Sequence, residues 1–193
     1  MLAFGPGDRR VEVERLSAER VRFRPTAEGM WCVFAVNESD YRFYWEREPD
    51  DRHWSIWDKQ ADEEKLFENQ SHYVRVGSAG EPSATGVHEA LLLVHPELDP
   101  SSLALGGELP ITCFLGRSYY TKGEVQWGGD LDAGEPAGSA VPDEQGAVKI
   151  PIDRAGPWMV RAIYRLSSGL PYDRWLTLES TLTFEVREPG EDA

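Results

Sequence analysis

Residues 175–186 read WLTLESTLTFEV, and this stretch decides the fold. Leu178, Ser180, Leu182, Phe184 and Val186 fall on one face of an extended chain, and Thr177, Glu179, Thr181, Thr183 and Glu185 on the other. Side chains alternate across a strand, so one apolar row and one polar row predict a half-buried strand with a wet outer face. Further strand-like runs lie upstream in EALLLVH, ELPITCFL, KGEVQW, AVKIPI and PWMVRAIYRL. Turn-forming stretches separate these runs: DPSS, LGGE, GGDLDAGEPAG, PDEQG, DRAG and SSGLP. Short strands punctuated this way predict a β-sandwich of immunoglobulin-like or transthyretin-like Greek-key type over residues 86–188. The tail, residues 189–193, is expected to fray.

The first part of the chain carries the same signature with more aromatic residues. GMWCVFAVNE is apolar on both faces and reads as a central strand; DYRFYWERE, HWSIWDK and HYVRV read as further strands. VEVERLSAER is ambiguous between strand and helix. Residues 62–69, DEEKLFEN, predict the one short helix, with Asp62 as its cap and acids in its first turn, where the helix dipole favours them. The Gly, Ser and Pro of residues 77–86 mark a linker. The expectation is therefore an all-β chain of two sandwich-like lobes, residues 1–80 and 86–188.

Charge narrows the partners. Thirty-four acidic residues against 20 basic ones give a formal net charge of −14. Such a field repels phosphate backbones and anionic lipid heads, which argues against nucleic acid and leaves cations, basic peptides and neutral ligands. No apolar run approaches the ~20 residues of a membrane span, so no membrane insertion is expected. The opening MLAFGPGDRR lacks a basic segment followed by an apolar stretch, which predicts a cytoplasmic chain, or a periplasmic one if a leader has been removed. Cys32 and Cys113 each sit in an apolar run and read as buried thiols, with a disulfide between lobes as the alternative.

Catalytic signatures are absent from the sequence. His88-Glu89 begins a zinc-protease helix pattern, but the position for the second histidine is Leu92. GGDLDAGE places Glu135 and Val141 where a calcium loop needs Gly and Glu, which leaves only a looser cation site at Asp130, Asp132 and Glu135. Neither a nucleophile elbow nor a phosphate-binding glycine loop occurs. The chain is accordingly expected not to be an enzyme. Aromatics crowd the first lobe: Trp31, Tyr41, Phe43, Tyr44, Trp45, Trp54 and Trp57. They read as core, or as an exposed platform for sugars led by Tyr44 and Trp57, because Tyr44 faces away from the Tyr41, Phe43 and Trp45 row.

Three segments carry a resemblance: LLLVHPELDPSSLALGGELPITCFLGRS, DEQGAVKIPIDRAGPWMVRAIYRL and DRWLTLESTLTFEV. Pro96 is followed four residues on by Asp99-Pro100, then by Leu103 and a strand-opening Gly107. A turn at Asp143 and Gly146, a Gly156-x-Trp158 strand and the closing strand of residues 180–186 complete the pattern. Over residues 86–186 this resembles the periplasmic accessory domains found beside cobalt and nickel ABC-type transporters. The resemblance implies a Greek-key sandwich and a link to nickel or cobalt uptake. With the acidic charge, it implies a non-enzymatic accessory module that docks on a transporter or other protein partner, or binds a divalent cation weakly. Neutral imidazole with carboxylate suits nickel or cobalt. The candidate ligands are His88 and His95, with Glu89 and Glu97 beside them. The competing expectations are a protein-interaction sandwich without a small ligand and the carbohydrate module; oligomeric state is left open.

Overall fold

Alternating apolar residues form strands wherever a second strand can take up their backbone groups. The computed structural model describes residues 1–7, 9–17, 20–38, 42–44, 62–77, 90–132, 134–167 and 174–187. Among them the strands are β1 (Leu2–Gly5), β2 (Arg9–Glu12), β3 (Glu14–Arg15), β4 (Val21–Arg22), β5 (Gly29–Glu38), β6 (Arg42–Tyr44) and β7 (Asp62–Val76). They continue as β8 (Leu92–Pro96), β9 (Glu108–Leu115), β10 (Ser118–Tyr119), β11 (Val125–Gly128) and β12 (Gly138–Ala140). The last three are β13 (Ala147–Pro151), β14 (Gly156–Ser167) and β15 (Arg174–Val186). The protein is mainly β, as the alternation predicts.

A nine-stranded sheet runs β12-β11-β14-β15-β7-β5-β1-β2, with β6 beside β7. A four-stranded sheet holds β10, β9 and β13, with β8 on the other edge of β9. At the centre of the large sheet β7 and β15 pair in parallel, from Glu63↔Arg174 to His72↔Thr183. The spans 1–80 and 86–188 thus contribute strands to one sheet. They also share one core: Phe4, Met30 and Phe34 pack in the same cluster as Leu92, Ile111 and Trp158.

Residues 62–69 are a correction. They form the first half of the 15-residue β7, not a helix. A cap and a favourable dipole stabilise a helix by only about 1 kcal/mol each. In β7 both edges of the backbone are hydrogen-bonded, to β5 and β6 on one side and to β15 on the other. The side chains then alternate: Asn69, Ser71 and Tyr73 are buried, while Gln70 and His72 point outward and are exposed. Among the described residues the helical turn is a short 3-10 segment, Pro100–Ser102.

β5 is the central strand that its two apolar faces predict. Met30, Cys32 and Phe34 enter the main core, and Trp31 and Val33 enter a second cluster on the opposite face, with Ala3. Val11, Val13 and Phe23 cover that cluster. Gly5 is required there, because a Cβ on it would lie 2.6 Å from the Trp31 ring.

β8 explains the run LLLVH. All five of its residues are buried, so the strand is covered on both faces. Its edge away from β9 meets the β7–β15 seam. The Val94 N–H donates to Ser180 Oγ at 3.0 Å, and the Leu92 carbonyl accepts from Asn69 Nδ2. Two side chains of the large sheet thus satisfy the open edge of the small one, where an unpaired group would cost about 1–3 kcal/mol.

Ser180→Ala removes the acceptor and buries an unpaired N–H. The urea midpoint should fall by the equivalent of about 1–3 kcal/mol at unchanged slope, whereas Ser118→Ala on exposed β10 should stay within about 0.5 kcal/mol.

Candidate functional site

Two places at the β7–β8 junction concentrate polar groups. At the C-terminal end of β8, Tyr73 reaches from β7 to His95, with its hydroxyl 3.1 Å from Nδ1 and the rings edge-on. Cys32 of β5 lies directly across from Tyr73, and burial with the neighbouring thiol holds the Tyr73 hydroxyl well above its ordinary pKa. His95 is only 8% exposed, and burial holds its pKa below the ordinary imidazole value, with the Glu97 carboxylate opposing the shift. One hydrogen bond thus joins Nδ1 and the Tyr73 hydroxyl, and the tautomer sets which of the two donates. Burial pushes the Cys32 and Cys113 thiols up to about 12, and both cysteines are free, as their apolar runs predict.

Beside this chain lies an ion pair that the sequence reading did not pick out. Asp99 is buried, and its Oδ2 accepts from Arg75 Nε at 2.7 Å and also from the second guanidinium nitrogen. Its Oδ1 accepts from the Ser101 N–H at 2.9 Å and the Ser101 hydroxyl at 2.7 Å. The Asp99-Pro100 dipeptide was legible as a turn. Arg75, from the other half of the chain, carried no signal pairing it with Asp99. The remaining turn of the pattern is equally structural. Asp143 Oδ1 accepts from the N–H groups of Gln145 and Ala147, and Gly146, at φ +72, leaves no room for a Cβ beside the Cys113 carbonyl.

The other place is the opposite end of β8, where the apolar row of the large sheet reaches the surface. Val36 lies opposite Asn69, on the row of Cys32 and Phe34, yet it is 58% exposed. Leu166, on the row of Trp158 and Ala162, and Leu91, just before β8, are 38% and 50% exposed. Val36 and Leu91 border a small cavity of about 30 Å³, which Phe67, Glu68, Asn69, Leu92 and Leu178 also line. The Leu92 carbonyl can only accept, so the amide nitrogen of Asn69 must face it. The Asn69 oxygen is then buried without a partner.

Of the residues expected to bind a metal, His95 and Glu97 stand together at the β8 end, and His95 keeps only Nε2 open for a cation. His88 and Glu89 lie outside the described residues. Tyr44 is placed as a backbone position in β6, opposite Asp62, and Trp57 lies outside the described residues. Among the described residues, no group of three or more His, Cys, Asp and Glu is arranged to hold a metal ion. In the loop at Asp130, the Asp132 carboxylate is engaged by Arg161 at 2.7 Å.

The wet outer face expected of β15 holds at Glu185, which is exposed, and in part at Thr183, but not along the first half of the strand. Thr177 and Thr181 are buried, and Glu179 is 20% exposed beside Arg161, which crosses from β14. Thr181 Oγ1 donates to Glu179, which Arg161 also engages, so a polar row need not be a solvated one.

Comparison with protein-family models, with curated proteins and with solved structures finds no match for this chain.

Two measurements check this geometry. Asp99→Ala should destabilise by about 2–3 kcal/mol and Asp99→Asn by less, because the amide retains an acceptor for Ser101; chemical unfolding reads both. The native state holds thiol protons that the unfolded chain releases near pH 9, so stability should fall as pH rises from about 9 towards 12. At pH 8 neither thiol should react with a chromogenic disulfide reagent until denaturant opens the core.

Proposed function

We propose that this protein is a non-enzymatic binding module that docks on a protein partner through the end of the sandwich where Val36, Leu91 and Leu166 are exposed. The supporting observation is that Val36 and Leu166 extend core rows of the large sheet into solvent, and that Leu91, just before the buried β8, is exposed as well. Apolar surface continuous with a core is stabilised by a partner that covers it. The net charge of −14 disfavours a second copy of the same chain and favours a basic or neutral segment. The resemblance to transporter-associated accessory domains points to the same kind of task.

A divalent-cation version has one observation of its own: the Glu97 carboxylate acts on the His95 imidazole. Nickel or cobalt would meet Nε2 and that carboxylate. Calorimetric titration of the chelator-treated protein tests it. Saturable binding lost in Glu97→Gln supports the cation version, and a flat titration removes it.

For the docking reading, random peptides displayed on phage are selected on the whole protein. Peptides with apolar anchors and basic flanks should be enriched. Val36→Asp and Leu91→Asp should each weaken their binding at least tenfold with the unfolding midpoint unchanged, because both positions are already exposed. Failure to select a saturable peptide, or indifference to both substitutions, would overturn the reading.

A further inference from the structure

The large sheet ends at β12, and that end is open. Among the described residues, no backbone bond joins residues 138–141 to any element but β11. The register shows which groups are left over. The Trp127 carbonyl accepts from the Ala137 N–H at 2.8 Å, so Trp127 turns its backbone towards β12, and Gln126 turns its own towards β14. Ser139 stands opposite Gln126, and its N–H and C=O therefore face outward, because backbone direction alternates along an antiparallel strand. An unpaired edge is a template for another strand, and proteins guard such edges with charge or proline. β2, at the far end of the same sheet, carries Arg9 and Arg10, and β13 carries Lys149 and Pro151. Residues 137–141 read AGSAV, with neither guard. Ser139 is exposed, and Val141, at 67%, is the most exposed large apolar residue among those described.

The surroundings select the charge of a partner. Residues 122–145 hold six acids, Glu124, Asp130, Asp132, Glu135, Asp143 and Glu144, against one base, Lys122. Arg161 of β14 is bound to Asp132, which still leaves the acids in excess. Glu124 accepts from Gln126 Nε2 at 3.3 Å, and Ser139, the cross-strand partner of Gln126, points to that same face. A side chain added beside Ser139 would share the face with this carboxylate. The edge is distinct from the docking end at Val36, since four strands lie between β12 and β5.

We propose that β12 is a second interaction edge, which takes an extended basic segment of a partner protein as an added strand. The segment exchanges backbone hydrogen bonds with Ser139, lays an apolar side chain against Val141 and sets lysine or arginine along the acidic flanks. So short an edge engages only about four residues of the partner, which makes the contact a reversible one.

Random peptides displayed on phage are selected on the full chain carrying Val36→Asp, so that the apolar end does not compete, and are then measured on the native protein by fluorescence anisotropy. Basic peptides with β-branched residues should be enriched, and added salt should weaken them. In the complex the Ser139 amide should exchange more slowly with solvent, while the Ala140 amide, on the side of β11, changes little. N-methylation along the peptide should weaken binding about tenfold at amides that face β12 and leave the alternate ones unaffected. Ser139→Pro removes the outward N–H without touching a bond to β11 and should abolish binding with the unfolding midpoint kept. Should that variant unfold, the N-methyl scan and the exchange rate read the same contact in the native edge. Glu135→Lys combined with Glu144→Lys should weaken binding about tenfold. Failure to select a saturable peptide, an N-methyl scan without alternation, an unchanged Ser139 amide, or enrichment of acidic peptides overturns the proposal. A dimer of the native protein in sedimentation that Ser139→Pro dissociates gives the edge to a second copy of the chain and also overturns it. None of these outcomes bears on docking at Val36, Leu91 and Leu166.

Discussion

The parallel pairing of β7 with β15 is the constraint on which the rest of the structure depends. Parallel strands cannot be joined by a tight turn, so the chain between them must leave the sheet and return. In this protein that excursion contains the whole of the small sheet. Closing so long a loop costs chain entropy, although the cost grows only slowly with length. Burial of the cluster shared by both halves offsets it. The alternative local structure of residues 62–69 loses for the same reason, since a short helix cannot match a strand bonded along both edges.

β8 is where the two sheets are joined by specific chemistry instead of apolar contact alone. Its free edge would be a row of unpaired backbone groups inside the protein. Asn69 and Ser180, adjacent in the parallel register, answer that edge with a donor and an acceptor. A buried polar pair of this kind sets the register, because a slip by one residue would put both side chains on the outer face.

The two ends of β8 are chemically different. At its C-terminal end Tyr73 and His95 are hydrogen-bonded, with Cys32 beside them and the Arg75–Asp99 ion pair closing the junction. Such an end holds the halves together. At its N-terminal end the apolar rows run into solvent, and an amide oxygen is left over. The contrast locates the proposed function at the end where apolar side chains reach solvent.

The sequence by itself determined β5 and most strands of the second half of the chain. GMWCVFAVNE and ELPITCFL coincide with β5 and β9, because alternation and turn residues act within a few positions of one another. It also determined the two buried thiols and the turns at Asp99-Pro100 and Asp143. Of the candidate site it made His95 and Glu97 legible as neighbours, but gave no sign that Tyr73 would occupy one nitrogen of the ring. Asn69, Arg75 and Ser180 were invisible as a group, because their partners lie 23, 24 and 86 positions away. Only the tertiary structure decided that β7 is a strand, that both halves share one sheet, and that one acceptor at their junction is left unpaired. Those outcomes depend on which strands meet across the sheet, and no local pattern of residues encodes that pairing.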